Sequence, residues 1–129
     1  MQIGIVDSSD ENLADLFEKY VYQRVEQVVS KKKNALDLFD ALAFLKQFEK
    51  MDQRVLIVKL IRDEEQQAKA FFEALANLEA TTGKMIFKCI YYDDENGEAA
   101  IQETADQFLK YLFKIVPKSK EEYKKLPLP

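Results

Sequence analysis

Hydrophobic positions fall along this chain in two rhythms. Gln2–Val6, Arg54–Ile61 and Met85–Tyr92 are short, nearly continuous apolar runs bounded by polar turn residues. Their length and β-branched content predict strands, those of a parallel sheet buried on both faces. Elsewhere the apolar residues recur at three- and four-residue spacing, which predicts helices with one buried face. Leu13, Leu16, Phe17, Tyr20 and Val21 mark the first such stripe, and Ala68, Phe71, Phe72, Leu75 and Leu78 mark another. The stripe Ile101, Ala105, Phe108, Leu109, Leu112 and Val116 is the last.

The stretch Arg54–Gln67 is the expected centre, a mostly aliphatic strand running into a polar turn and a helix start. Ligands of such sheets sit beyond the carboxyl ends of the strands, so residues 61–67 are expected near any binding site. In the first turn, Asp7-Ser8-Ser9-Asp10 offers Ser9 or Asp10 as the N-cap of the helix that follows. After it, Tyr22–Val29 reads equally as a continuation of that helix through Val25 and Val28 or as a strand.

Ser30–Asn34, with its three lysines, reads as a loop, and Asn34 followed by Asp37 as the start of a helix over 35–51. That helix is apolar around more than half its circumference through Leu36, Leu38, Phe39, Leu42, Phe44, Leu45 and Phe48. It therefore needs cover on more than one side, from a second layer or from a partner subunit. A further helix over 64–81 ends at Thr82-Gly83, the usual place of a C′ glycine, and Pro117 stops the last one. Alternating strands and helices imply parallel pairing through right-handed crossovers. The expected fold is α/β, a three-layer sandwich of flavodoxin-like type with a mainly parallel sheet of about four strands. Residues 1–117 form one domain and 118–129 a tail of alternating charge, solvated or clasping a neighbouring subunit.

Composition narrows the chemistry. With 19 basic and 23 acidic residues the formal charge is −4, and Lys31-Lys32-Lys33 is the one basic run, so no nucleic-acid partner is expected. The 129 residues contain no histidine, which removes Ser-His-Asp chemistry and conventional zinc sites together. The single cysteine, Cys89, lies within a strand, where a buried, inert thiol is usual. No apolar run is long enough to span a bilayer and no leader precedes the first strand, so no membrane association and a cytoplasmic location are expected.

Read in order, several motifs resemble the lumazine synthases and their archaeal riboflavin synthase relatives. The opening Ile3-Gly4-Ile5-Val6-Asp7-Ser8-Ser9 is similar to the archaeal first strand and its Val-Asp-Thr/Ser turn. Asn34–Leu45 falls where the family has a Pro-Gly turn and an apolar helix, and Ile61-Arg62 matches the start of its Ile-Arg-Gly turn. Thr82-Gly83, Ile86-Phe87 and Asn96–Ala100 resemble the surroundings of its fourth strand and last helix. The resemblance covers nearly the whole chain. It implies a homo-oligomer with sites between subunits and a small heterocyclic ligand.

Where the family has a Gly-Glu-Thr phosphate cradle and a proton-transferring histidine, this chain has Asp63-Glu64-Glu65 and Gln67. Glutamine cannot shuttle protons near neutral pH. The Pro-Gly turn is missing at Asn34, and the basic loop before the last helix is shortened. The expectation is a diverged member that has lost the family's catalytic residues and is not an enzyme of that kind.

Asp7, Ser8, Lys59, Arg62, Gln67 and Tyr92 are the candidate ligand-binding residues, with Lys59 and Arg62 suited to an anion and Tyr92 to stacking on a flat ring. Without a histidine base, Ser8 and Ser9 are poor nucleophiles and better read as caps. Lys59 also reads as a side chain snorkelling to solvent, and Lys88 as the mark of an edge strand. No cofactor is expected, but Asp7, Asp63 and Asp93 close three strands on one rim and are a candidate Mg²⁺ or Ca²⁺ set. Each also precedes a helix, where capping alone would place an acid. Two alternatives to the heterocycle-binding oligomer stand beside it: a non-catalytic protein–protein interaction module assembled through the helix over 35–51, and a metal-dependent enzyme using the acidic rim.

Overall fold

Strand and helix alternate without exception along residues 1–115, the part of the chain that the computed structural model describes. The order is β1 (Gln2–Asp7), α1 (Leu13–Tyr22), β2 (Val29–Asn34), α2 (Leu38–Gln47), β3 (Gln53–Leu60), α3 (Glu65–Thr82), β4 (Ile86–Tyr92) and α4 (Gly97–Phe113). All four strands are parallel, in the order β2-β1-β3-β4. This is the expected three-layer, flavodoxin-like α/β arrangement. Among the described residues no helix is long and apolar enough to cross a membrane.

Side chains alternate across the sheet, so each inner strand feeds two cores. From β3, Val55 and Ile57 join Phe17, Phe108 and Ile101 beneath α1 and α4. Leu56, Val58 and Leu60 join Leu45, Phe71 and Leu75 beneath α2 and α3. Phe108 stands edge-on to both Phe17 and Phe87, with ring centroids 5.3 and 5.0 Å apart, the preferred aromatic geometry. β3 is thus the two-side-buried centre that its composition predicts.

The second strand lies elsewhere than expected. Tyr22 ends α1, residues 23–28 turn, and the strand is Val29–Asn34, the lysine stretch read from sequence as a loop. Its main chain runs in register beside β1 from Gln2↔Val29 to Asp7↔Asn34. An edge strand needs backbone partners on one side only and tolerates exposed lysines, which is why apolar patterning misses it. Lys32 is held at 2.6 Å from Asp15 and 3.0 Å from Glu18 of α1.

α2 also starts later and ends sooner than its apolar content suggests. Asp37, and not Asn34, is the N-cap, accepting from the Asp40 amide at 2.9 Å, so Leu36 lies outside the helix. α3 ends at Gly83 with φ +67°, as expected for a C′ glycine. α4 is capped by Asn96, whose Oδ1 accepts from the Ala99 amide, and ends at Phe113. The stop at Pro117 and the tail 118–129 lie outside the described residues.

Two close contacts tie the layers together. A Cβ on Gly4 would lie 2.6 Å from ring atoms of Phe48, so glycine is what lets the end of α2 settle on β1. Arg54, 1% exposed, donates to the Leu45 carbonyl at 2.8 Å and to Thr82 Oγ1 at 3.2 Å. Its cation is placed against the carboxyl-terminal ends of α2 and α3, where the helix dipoles favour positive charge.

Candidate functional site

The crossover after β1 descends one face of the sheet through α1, and those around β3 use the other face through α2 and α3. The loops therefore part at the carboxyl ends of β1 and β3, where open α/β sheets form their crevice. The residues at this point are held from below by Asp7. Its carboxylate is 2% exposed and accepts from the Ser9 amide at 2.8 Å, Ser9 Oγ at 2.5 Å and the Ala14 amide at 2.9 Å. Neither Ser9 nor Asp10 is the N-cap of α1. Asn12 stands there with no side-chain cap bond, and Asp7 satisfies the first turn from seven residues upstream. The positive φ of Asp10 and Asn12 folds the loop back far enough for this.

Ser8 is fixed by two hydrogen bonds to the Ile57 carbonyl, from its amide at 2.9 Å and its hydroxyl at 3.0 Å. Beside it opens a recess of about 740 Å³ between the start of α2, the end of β3 and α3. Leu38, Leu42, Leu60 and Phe71 form apolar walls, and the small side chains of Ala68 and Ala74 leave the space open. Ser8 and Gln67 bring polar side chains to it, and Lys59 borders it. At its mouth stand Leu36, 94% exposed, and Phe39, 82% exposed, with Ile61 about half exposed beside them.

The candidate ligand residues thus separate into three places. Ser8 and Gln67 share the recess, which Lys59 borders. Arg62 and Tyr92 pair with each other outside it: the guanidinium lies 4.1 Å from the ring centroid, and Nε donates to Asp94 at 2.7 Å. The hydrogen bond from Arg62 holds the Asp94 carboxyl below its ordinary range, and one face of the Tyr92 ring is already covered by the protein's own cation. Asp7 is buried beneath the loop.

Lys59 also reaches Glu11 at 3.6 Å. Glu11 in turn accepts the Tyr91 hydroxyl, and burial followed by this hydrogen bond pushes the Tyr91 pKa well up. Gly97 makes room for that pair, since a Cβ there would lie 2.7 Å from Glu11 Oε2. Cys89 is buried, which pushes its thiol up to about 11 and makes it a poor nucleophile.

Asp63 and Asp93 are exposed on their loops while Asp7 is spent on α1. Among the described residues no group of three or more His, Cys, Asp or Glu side chains is placed to hold a metal ion.

Periodicity gave no sign of the recess walls, because Phe71 and Leu42 read as ordinary core. Leu36 and Phe39 did carry a signal, as apolar residues in excess of what one buried face requires. Chemically, the recess offers a hydroxyl and an amide beside apolar walls, while the Lys59 ammonium lies with Glu11 on the opposite face of the sheet. Ser8 Oγ donates to a main-chain carbonyl, and no base among the described residues is hydrogen-bonded to it. Compared with known proteins, the chain matches no protein-family model and no curated sequence.

Proposed function

We propose that this protein is a non-catalytic binding protein, a diverged relative of the lumazine and archaeal riboflavin synthases, that holds a small flat heterocycle as a homo-oligomer. The recess at the parting of β1 and β3 carries this reading. Its volume of about 740 Å³ falls in the range of small-molecule sites, about 300–1,000 Å³, and it combines apolar walls with a few convergent polar groups. The Gln67 amide can both donate to and accept from a polar edge of the ligand.

Fluorescence titration with flavin and pterin compounds tests the reading. Saturable quenching is expected, weakened about tenfold or more when Ala74→Trp fills the recess, with the unfolding midpoint retained. No quenching by any compound of the set would sink it.

The exposure of Leu36 and Phe39 favours a second reading, a protein–protein interaction module. Two large apolar side chains at the rim of an apolar recess have the character of interface anchors. Light scattering on the wild type and on Phe39→Ser addresses both readings. An oligomer that Phe39→Ser dissociates is the expected result, and a wild-type monomer at high concentration would remove self-association from either.

A further inference from the structure

The two edges of the sheet are built differently. β2 is guarded by Lys31, Lys32 and Lys33, the usual device against unwanted pairing. β4, at the other edge, carries a single lysine, Lys88, and among the described residues its main chain is covered at its ends. The Asp93 amide reaches back to the Leu60 carbonyl of β3. Main-chain groups of alternate residues point to the same side of a strand, so Ile86, Lys88, Ile90 and Tyr92 present theirs outward. The Ile86 amide donates to Glu79 at 3.1 Å and its carbonyl accepts from Lys88 Nζ at 3.0 Å, while the Tyr92 amide donates to Glu95 at 2.8 Å. Between these, the main-chain donors and acceptors of Lys88 and Ile90 form a window that no group among the described residues covers.

Beside the window, toward the amino-terminal end of the strands, lies a groove of about 930 Å³ between β4 and α4. Met85 and Tyr111 expose much of their apolar surface there. Lys110 and Lys114 line it too, and neither makes an ion pair among the described residues, whereas Lys88 is paired with Glu79 at 2.7 Å. A strand laid along β4 would turn every second side chain toward Lys110, Tyr111 and Lys114, and the others toward Ile90.

We propose that the β4 edge docks an extended segment of a protein partner in which acidic residues, facing Lys110 and Lys114, alternate with apolar ones facing Ile90. Main-chain bonds to Lys88 and Ile90 supply the pairing, and the two lysines select the charge. The charge also decides between occupants. The chain's own residues 118–129 carry Lys118, Lys120, Lys124 and Lys125 against Glu121 and Glu122, a net of 4 − 2 = +2, the wrong sign for this groove. This site is independent of the recess and of the function proposed for it.

The test uses the full chain and two short fluorescein-labelled peptides, one alternating glutamate with valine and one alternating lysine with valine. Fluorescence anisotropy should show binding of the glutamate peptide that weakens about tenfold in Lys110→Glu/Lys114→Glu. The milder Lys110→Gln/Lys114→Gln should lie between. Lys31→Glu/Lys33→Glu, on the opposite edge, should bind like wild type. Hydrogen exchange at the Lys88 and Ile90 amides should be fast in the free chain and slow when peptide is added. Absence of binding, equal binding of the lysine peptide, or indifference to the Lys110 and Lys114 changes would overturn the proposal. So would amides already protected in the free chain, whether independently of concentration, which would mean cover by the chain itself, or with rising concentration, which would mean a second copy.

Discussion

Asp7 closes the first strand in a position from which a ligand or a metal would be sought, yet its environment makes it a structural cap, and the two roles predict opposite outcomes for Asp7→Ala. At 2% exposure the carboxylate accepts three hydrogen bonds, two of them from the main-chain amides of Ser9 and Ala14. Alanine would leave both amides buried without an acceptor, at about 1–3 kcal/mol each, and would remove the cap of α1, worth about 1 kcal/mol. These terms overlap, since the Ala14 bond is the cap, so the expected loss is about 3–4 kcal/mol. Asp7→Asn keeps one acceptor oxygen and should lose about half as much, about 1–2 kcal/mol.

Urea unfolding followed by circular dichroism reads the difference directly. With a slope of about 1.5–2 kcal/mol per molar, the midpoint should fall by about 2 M for alanine and about 1 M for asparagine. A carboxylate kept only for a ligand would behave differently: its removal relieves a buried charge and leaves the midpoint level or raised. An Asp7→Ala midpoint within about 0.3 M of wild type, at equal slope, would refute the capping argument.

Further outcomes follow from the same contacts. Arg54→Leu should destabilise by about 2–3 kcal/mol, because the Leu45 carbonyl and Thr82 hydroxyl lose a charged donor; an unchanged urea midpoint would show that the guanidinium contributes nothing net. Gly4→Ala should cost about 1–3 kcal/mol by forcing a Cβ against the Phe48 ring. Adding Phe48→Leu should recover part of that loss, and strictly additive effects in the double-mutant cycle would rule out the contact as the cause. Cys89 should resist alkylation at pH 8 in the folded chain and react fully in urea, so rapid native labelling would contradict its burial. Its folded pKa is raised from 9.0 to about 11, so the folded state holds that proton more tightly. The associated stability is fully present below pH 9.0 and is lost as pH rises to about 11, with Tyr91 acting in the same direction at still higher pH. A pH titration of the unfolding midpoint that stays flat through this range would exclude the effect.

How far the recess could be read in advance differs residue by residue. Ser8, Lys59 and Gln67 were legible because they stand just before or after the ends of strands predicted by short apolar runs, and parallel topology brings strand ends to one rim. Arg62 and Tyr92 had the same credentials, but their side chains satisfy each other, a choice made by rotamers that strand position does not specify. Asp7 is taken up as a cap by the amides of Ser9 and Ala14, two and seven residues onward, through a loop whose left-handed turns leave only a weak mark in composition.

The fold class was written in the alternation of short apolar runs with one-sided helical stripes, because burial on one or two faces leaves a period in the chain that needs no knowledge of neighbours. β3 could be named the centre on that basis alone. Only the tertiary structure decided that Val29–Asn34 is a strand. An edge strand is stabilised by backbone pairing with β1, and backbone groups are the same whatever the side chain, so three consecutive lysines can sit there without an apolar pattern to announce it. The tertiary structure likewise decided that α2 would leave Phe39 uncovered, with Leu36 exposed just before its cap. Which face of an over-apolar helix meets the sheet is settled by the contact of Phe48 on Gly4, from the first strand, and of Arg54, from the strand that follows, on the helix end.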